Sequence, residues 1–156
     1  MVVSIILSEE QILEIRETTD TESQIFHDAM NIRLTVFVKE QNVPEELERD
    51  EFDNVSHHFV GYQDGQPVTT VRIKKEDQNW HVQRVATMKD ARGHGYAQQL
   101  MEEIIKRAKL EPGIDYLVLG AQLTAILFYE KVGFKAVGPE FTEAGILHRE
   151  MKLAVK

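Results

Sequence analysis

The chain has 156 residues, enough for one compact domain with a buried core and too few for two ordinary ones, so residues 1–156 are expected to form a single domain. Its 26 acidic and 18 basic residues leave a net charge of -8, which argues against a nucleic-acid surface, because phosphate contacts need clustered Lys and Arg, and permits a cationic substrate. Cysteine is absent, which excludes disulfides, thiolate metal sites and a cysteine nucleophile.

In chain order, the first apolar run, Val2 to Leu7, is interrupted by Ser4 and lacks a basic flank. Neither a signal peptide nor a membrane span is expected there, and a cytoplasmic location is the expectation. Ile12 to Thr18 alternates as a strand does. Thr19 and Glu22 have the spacing of a capping box, which predicts a helix from there through about Val38. Along it Ile25, Phe26, Ala29, Ile32, Arg33 and Val36 follow near-helical spacing. After Pro44 comes an acidic run, Glu45, Glu46, Glu48, Asp50, Glu51 and Asp53, expected as a short helix or loop whose charges are solvated.

His57 to Gln63 and Val68 to Lys74 flank Asp64-Gly65, a pair that supplies the positive φ of a tight hairpin turn. Trp80 to Thr87 is expected to add a third antiparallel strand. Ala97, Leu100, Met101, Ile104, Ile105 and Ala108 then form one helical stripe, ended by Pro112-Gly113. Tyr116 to Ala121 is nearly continuously apolar, as in a strand covered on both faces. A helix over about Leu123 to Val132 is expected to end at Gly133, and Phe134 to Val137 and Leu147 to Val155 read as the last strands.

Between the third strand and the long helix lies Arg92-Gly93-His94-Gly95-Tyr96-Ala97. Glycines at a strand-to-helix junction let backbone amides approach a ligand, and the helix N-terminus favours negative charge, so a phosphate or pyrophosphate suits this turn. An ordinary helix entry would look the same. A Walker loop would need Lys and then Ser or Thr after Gly95, where Tyr96 and Ala97 stand; a dinucleotide fingerprint would want a small residue in place of Gln98 and an early strand before it.

Arg84-Val85-Ala86-Thr87 ahead of this turn, followed by Ala121-Gln122 and by Phe128-Tyr129-Glu130-Lys131-Val132-Gly133-Phe134, resembles the GNAT superfamily of acyl-CoA-dependent N-acetyltransferases. The superfamily signature of Arg or Gln, two residues, Gly, one residue, then Gly or Ala matches Arg92, Gly95 and Ala97. More narrowly, Val36 to Glu45 and Phe141 to His148 resemble a bacterial branch often called ElaA-like or YjcF-like, with Leu147 where that branch often has proline.

The resemblance implies an α/β fold: a mixed, mostly antiparallel central sheet with a V-shaped splay, flanked by helices on both faces. It also implies that acetyl-CoA is the cosubstrate. The amides of Arg92, Gly93, His94, Gly95, Tyr96 and Ala97 would bind the CoA pyrophosphate. Val85, Ala86 and Thr87 would pair with the pantetheine arm as with an added strand, the Val85 amide facing the thioester carbonyl and Phe128 completing the cofactor site. Tyr129 would protonate the departing thiolate, a phenol of pKa about 10 giving its proton to a thiol of pKa about 8.5 as it forms.

The acceptor would be a small-molecule amine or a protein amino group. Glu40, His58 and His148 are its candidate contacts, and the same three with Asp53 and His57 are candidate bases. Adjacent on a strand, His57 and His58 point to opposite faces. His57, His58 and His81 have no recognised ligand spacing, so no metal is expected, and neither is a membrane or nucleic-acid partner. A homodimer is common in the superfamily, although no feature demands one. The alternative reading is a non-catalytic module that binds acyl-CoA.

Overall fold

The computed structural model describes residues 12–156, and the Val2 to Leu7 run lies outside the described residues. Seven strands among those residues form one sheet: β1 (Glu14–Thr18), β2 (His57–Gln63), β3 (Gln66–Glu76), β4 (Asn79–Thr87), β5 (Tyr116–Gln122), β6 (Lys135–Glu143) and β7 (Ile146–Ala154). Their spatial order is β1-β2-β3-β4-β5-β7-β6, and every neighbouring pair is antiparallel except β4 with β5. Four helices complete the set: α1 (Gln24–Arg33), α2 (Glu45–Glu48), α3 (Tyr96–Leu110) and α4 (Ile126–Lys131). None of the described helices is long and apolar enough to cross a membrane.

α1 and α3 cover opposite faces because each has one apolar stripe to bury. On one face Ala29, Ile32 and Val36 of the α1 region pack with Val60, Tyr62 and Ala86. On the other, Leu100, Met101, Ile104, Ile105 and Ala108 of α3 share a core with Phe59, Val71, Ile73, Leu117, Leu119, Tyr129 and Phe134. This α3 stripe is the one predicted from its spacing.

The first helix starts later than its predicted capping box. Thr18 Oγ1 accepts the Asp20 N–H at 3.0 Å and Asp20 Oδ1 accepts the Glu22 N–H at 2.9 Å, so these side chains stabilise a turn that competes with helix. Ser23, not Thr19, is the cap, its Oγ accepting the Phe26 N–H at 3.2 Å and donating to Asp20 O at 2.7 Å. Ser23→Ala should cost about 1 kcal/mol of stability, measured as a lowered urea midpoint with unchanged m-value. Beyond Arg33 the chain continues through a π-helical stretch, Leu34–Glu40, in which the Gln41 N–H bonds Val36 O at 3.1 Å.

β6 extends well past the predicted Phe134 to Val137. A register shift between Val137 and Glu140 absorbs Gly138, at φ +75°, and Pro139, so the strand continues through what reads as a breaker. The hairpin then closes at Ala144-Gly145, both at positive φ.

The acidic run is the largest departure. Glu48 and Asp53 are buried, not solvated, and serve as counter-ions to arginines of the interior. Arg33 Nε donates to Glu48 Oε1 at 2.7 Å and its Nη1 to Asp53 Oδ1 at 2.8 Å. Arg72 Nη1 donates to Asp53 Oδ1 at 2.9 Å and to Asp50 Oδ1 at 2.7 Å. Burial pushes the Glu48 carboxyl up despite its partners, whereas for Asp53 the two guanidiniums outweigh burial and hold the carboxyl below its usual range.

Candidate functional site

β4 and β5 pair only from Asn79–His81 to Tyr116–Val118, and beyond that point they part. The divergence coincides with an irregularity in β4: Gln83 lies opposite Arg72 and Ala86 opposite Thr70, so β4 has one residue more than β3 here. Arg84 sits in this bulge at φ +55°, a conformation costing roughly 1–2 kcal/mol for a residue with a Cβ. Its side chain holds it there. Arg84 Nη2 donates to Leu47 O at 3.2 Å and to Asp50 Oδ2 at 3.1 Å, and its Nε stands 3.1 Å from Glu48 Oε1. The acidic segment thus straps the bulged strand, and neither Arg84 nor Val85 has a register partner in β3 or β5.

The opening between the strands is a cleft of about 690 Å³. Val85, Ala86 and Thr87 form one wall, Arg92 and Ala97 one end, and Phe128, Tyr129, Glu143 and His148 lie across from the bulged strand. At the Arg92 end, Gly93 and Gly95 have φ of +84° and +79°, and nothing lies within 4 Å of where their Cβ atoms would be. Gly95 caps the fifteen-residue α3, whose first N–H groups have no side-chain cap. His94 and Tyr96 stack on each other, ring centroids 5.4 Å apart.

Tyr129 is 7% exposed and packs edge-on against Phe128 and Phe134. Its hydroxyl has no hydrogen-bond partner among the described residues, and burial pushes the phenol above its ordinary value, so the group stays protonated at neutral pH.

Of the candidate acceptor contacts, only His148 lines the cleft. Glu40 is instead clasped by Arg92, whose Nη1 and Nη2 donate to its two carboxylate oxygens at 2.6 and 2.7 Å while Nε donates to Thr87 O at 3.0 Å. This guanidinium holds the Glu40 carboxyl below its usual range. His58 is buried, with Nε2 2.9 Å from Asp53 O and its ring edge-on to Phe26, and burial pushes its pKa down. Asp53 is held by Arg33 and Arg72. His57 faces Glu17 at 2.5 Å, away from His58 as strand alternation requires. No cluster of three or more metal-ligating side chains occurs among the described residues.

Glu143 and the Arg84 strap were not anticipated. A signal existed for the strap: Arg33 interrupts an otherwise apolar helical stripe, and a charge at such a position needs a buried partner.

A sheet parted at a bulge, with a glycine turn at one end of the opening and a long helix behind it, is the architecture of an acyltransferase of the GNAT type. Residues 8–155 match the acetyltransferase (GNAT) domain family, and the chain belongs to that family. It is similar to the uncharacterized N-acetyltransferase YjcF of Bacillus subtilis, 38% identical over 125 residues that cover 80% of this chain and 89% of the relative. Among solved structures it is similar to Escherichia coli ElaA, at TM-score 0.80 and 27% identity over 91% of this chain and 99% of that one. It also resembles an acyl-CoA N-acyltransferase from Pseudomonas aeruginosa, at TM-score 0.80 and 28% identity over 92% of this chain and all of the other. The protein is an N-acetyltransferase.

Proposed function

We propose that residues 1–156 act as one cytoplasmic domain that moves the acetyl group of acetyl-CoA to a primary amine, on a small molecule or a protein, by direct attack on the thioester. The observation that carries this reading is Tyr129, a largely buried residue whose hydroxyl has no hydrogen-bond partner among the described residues and which lines the same cleft as an unpaired strand edge.

The residues present fit an acyl-CoA. Its pantetheine arm carries amides that can pair with the unpartnered backbone around Val85 and with Thr87, as an added strand would. Its pyrophosphate matches the open glycine turn at residues 92–97 and the N-terminus of α3. Arg92 takes a positioning part there, because its guanidinium is already bonded to Glu40 and Thr87 O. With the thioester beside Val85, that amide donates to the oxygen on which charge grows during attack. Tyr129 gives its proton to the departing sulfur, while Phe128 packs the acyl end.

The test is release of free thiol from acetyl-CoA across polyamines, amino acids, aminoglycosides and peptides. At least one amine should raise release above the amine-free control. Silence across the panel with CoA still bound would favour a non-catalytic acyl-CoA-binding module.

A further inference from the structure

We propose that His148 is the general base that deprotonates the acceptor amine, with Glu143 as the carboxylate that stabilises the imidazolium; this rests on the acyl-transfer reading above. Four features of the geometry carry it. First, His148 is 7% exposed and lines the same cleft as Tyr129. Second, its Nδ1 lies 2.7 Å from Ile146 O. A carbonyl oxygen can only accept, so Nδ1 bears the hydrogen, and the lone pair of the neutral ring belongs to Nε2. Third, Nε2 makes no hydrogen bond to any described residue, and Glu143 Oε2 stands 4.0 Å away. That spacing leaves the lone pair available and offers a counter-charge once the ring is protonated. Fourth, the ring is stacked on Phe141, centroids 5.6 Å apart at 23°, so the lone pair is aimed and not free to swing.

The rival bases lack this combination. His58 Nε2 is occupied by Asp53 O, and Asp53 and Glu40 are clasped by arginines. His81, also in the cleft wall, lies where β4 still pairs with β5 and beside Glu76.

The protons balance as follows. The amine arrives as an ammonium, and Nε2 removes one proton, giving imidazolium and a neutral amine. The nitrogen lone pair forms the C–N bond to the thioester carbonyl carbon, and the carbonyl electrons move to oxygen. When they return, the C–S bond breaks and the sulfur takes the Tyr129 proton. The tyrosinate recovers a proton from the new amide nitrogen, and His148 releases its proton to solvent.

The charged and titratable groups around His148 are few. On β6 it faces Glu143, and its β5 partner, Gln122, is uncharged. Next to it on β7, Arg149 is turned to Gly138 O. Elsewhere in the wall Glu48 pairs with Arg84, Arg92 with Glu40, and His81 remains.

The experiment is the pH dependence of kcat, with acetyl-CoA and the best amine of the panel saturating, alongside long-range proton–nitrogen NMR of the histidine rings in the wild-type protein. Wild type should show an acidic limb, along which activity falls tenfold per pH unit once the base is protonated. His148→Gln should lose that limb and about 10²–10³-fold in kcat at pH 7.5, hold its KM for acetyl-CoA within about twofold, and recover part of its rate toward pH 10 as the amine deprotonates unaided. Glu143→Gln should keep the limb but move it to lower pH, and His81→Gln should keep the wild-type profile. NMR should find His148 with its hydrogen on Nδ1. A wild-type profile in His148→Gln, or a hydrogen on Nε2 in the neutral ring, would overturn the base while leaving acyl transfer intact. Absence of thiol release by wild-type protein with every amine would overturn the acyl-transfer reading and the base together.

Discussion

Tyr129→Phe is expected to lower kcat by about 10²–10⁴-fold while leaving the Kd for CoA nearly unchanged, the range that a positioned general acid contributes. The substitution is clean because the hydroxyl has no hydrogen bond to a described residue to lose, and a phenylalanine ring keeps the edge contacts with Phe128 and Phe134. Stability should therefore hold. Because burial raises the phenol above its ordinary value of 10.0, Tyr129 stays protonated through neutral and mildly alkaline pH. No fall in wild-type rate below about pH 10 should be traceable to its ionisation. Steady-state kinetics with calorimetric CoA binding checks the prediction, and turnover unchanged by the substitution would remove Tyr129 from the chemistry.

Arg33→Met should cost about 3–5 kcal/mol at pH 7, because it leaves two buried carboxylates short of a partner. Arg33 is 1% exposed and donates to Glu48 Oε1, to Glu48 O and to Asp53. A loss of that size is a large share of the 5–15 kcal/mol that holds a typical domain together. The pH dependence follows from the two carboxyls. Asp53 titrates below its ordinary 3.8 in the folded protein, so its stabilising contribution is complete above that value and is lost as pH falls through the folded value. Glu48 titrates above its ordinary 4.5, so it contributes in the opposite sense, and stability declines as pH rises through the window just above 4.5. Removing Arg33 weakens the Asp53 contribution and enlarges the Glu48 cost. The gap between variant and wild type should therefore widen from pH 4 to pH 7 in urea titrations. A gap under about 1 kcal/mol at pH 7 would mean that the arginine strap is dispensable.

Elements whose cause is local were the ones legible in the sequence. The β2–β3 hairpin follows from Asp64-Gly65, which take φ of +51° and +77° as such a turn requires. α3 follows from its apolar stripe, and the glycine turn and the Phe128-Tyr129 pair are carried by short motifs. Most of what escaped reading depends on partners distant in the chain. Nothing local distinguishes Glu48 and Asp53 from the solvated acids beside them; only the folded chain brings Arg33, Arg72 and Arg84 to them. Glu40 reads as a free carboxylate until Arg92, 52 residues later, reaches it. The late start of α1 and the long β6 are local competitions, one between Ser23 and the turn before it, the other between sheet pairing and Gly138-Pro139.

This strap gives the acidic run a place in the chemistry. Through Glu48 and Asp50 it holds Arg84 in the left-handed region, and Arg84 adjoins Val85, whose amide we propose faces the thioester. Arg33 and Arg72 anchor the same acids from behind. The geometry of the cleft is thereby coupled to the most deeply buried charges among the described residues.

In the reading proposed above, the parted strands and the glycine turn together receive acyl-CoA. Titration of CoA into nitrogen-labelled protein, followed by amide chemical shifts, tests it most directly. Large shifts confined to Val85, Ala86, Thr87, the 92–97 turn and the first turn of α3 are expected, with little response to ATP or NAD at the same concentration. Shifts that leave β4 and the turn undisturbed, or an ATP response equal to that of CoA, would contradict it.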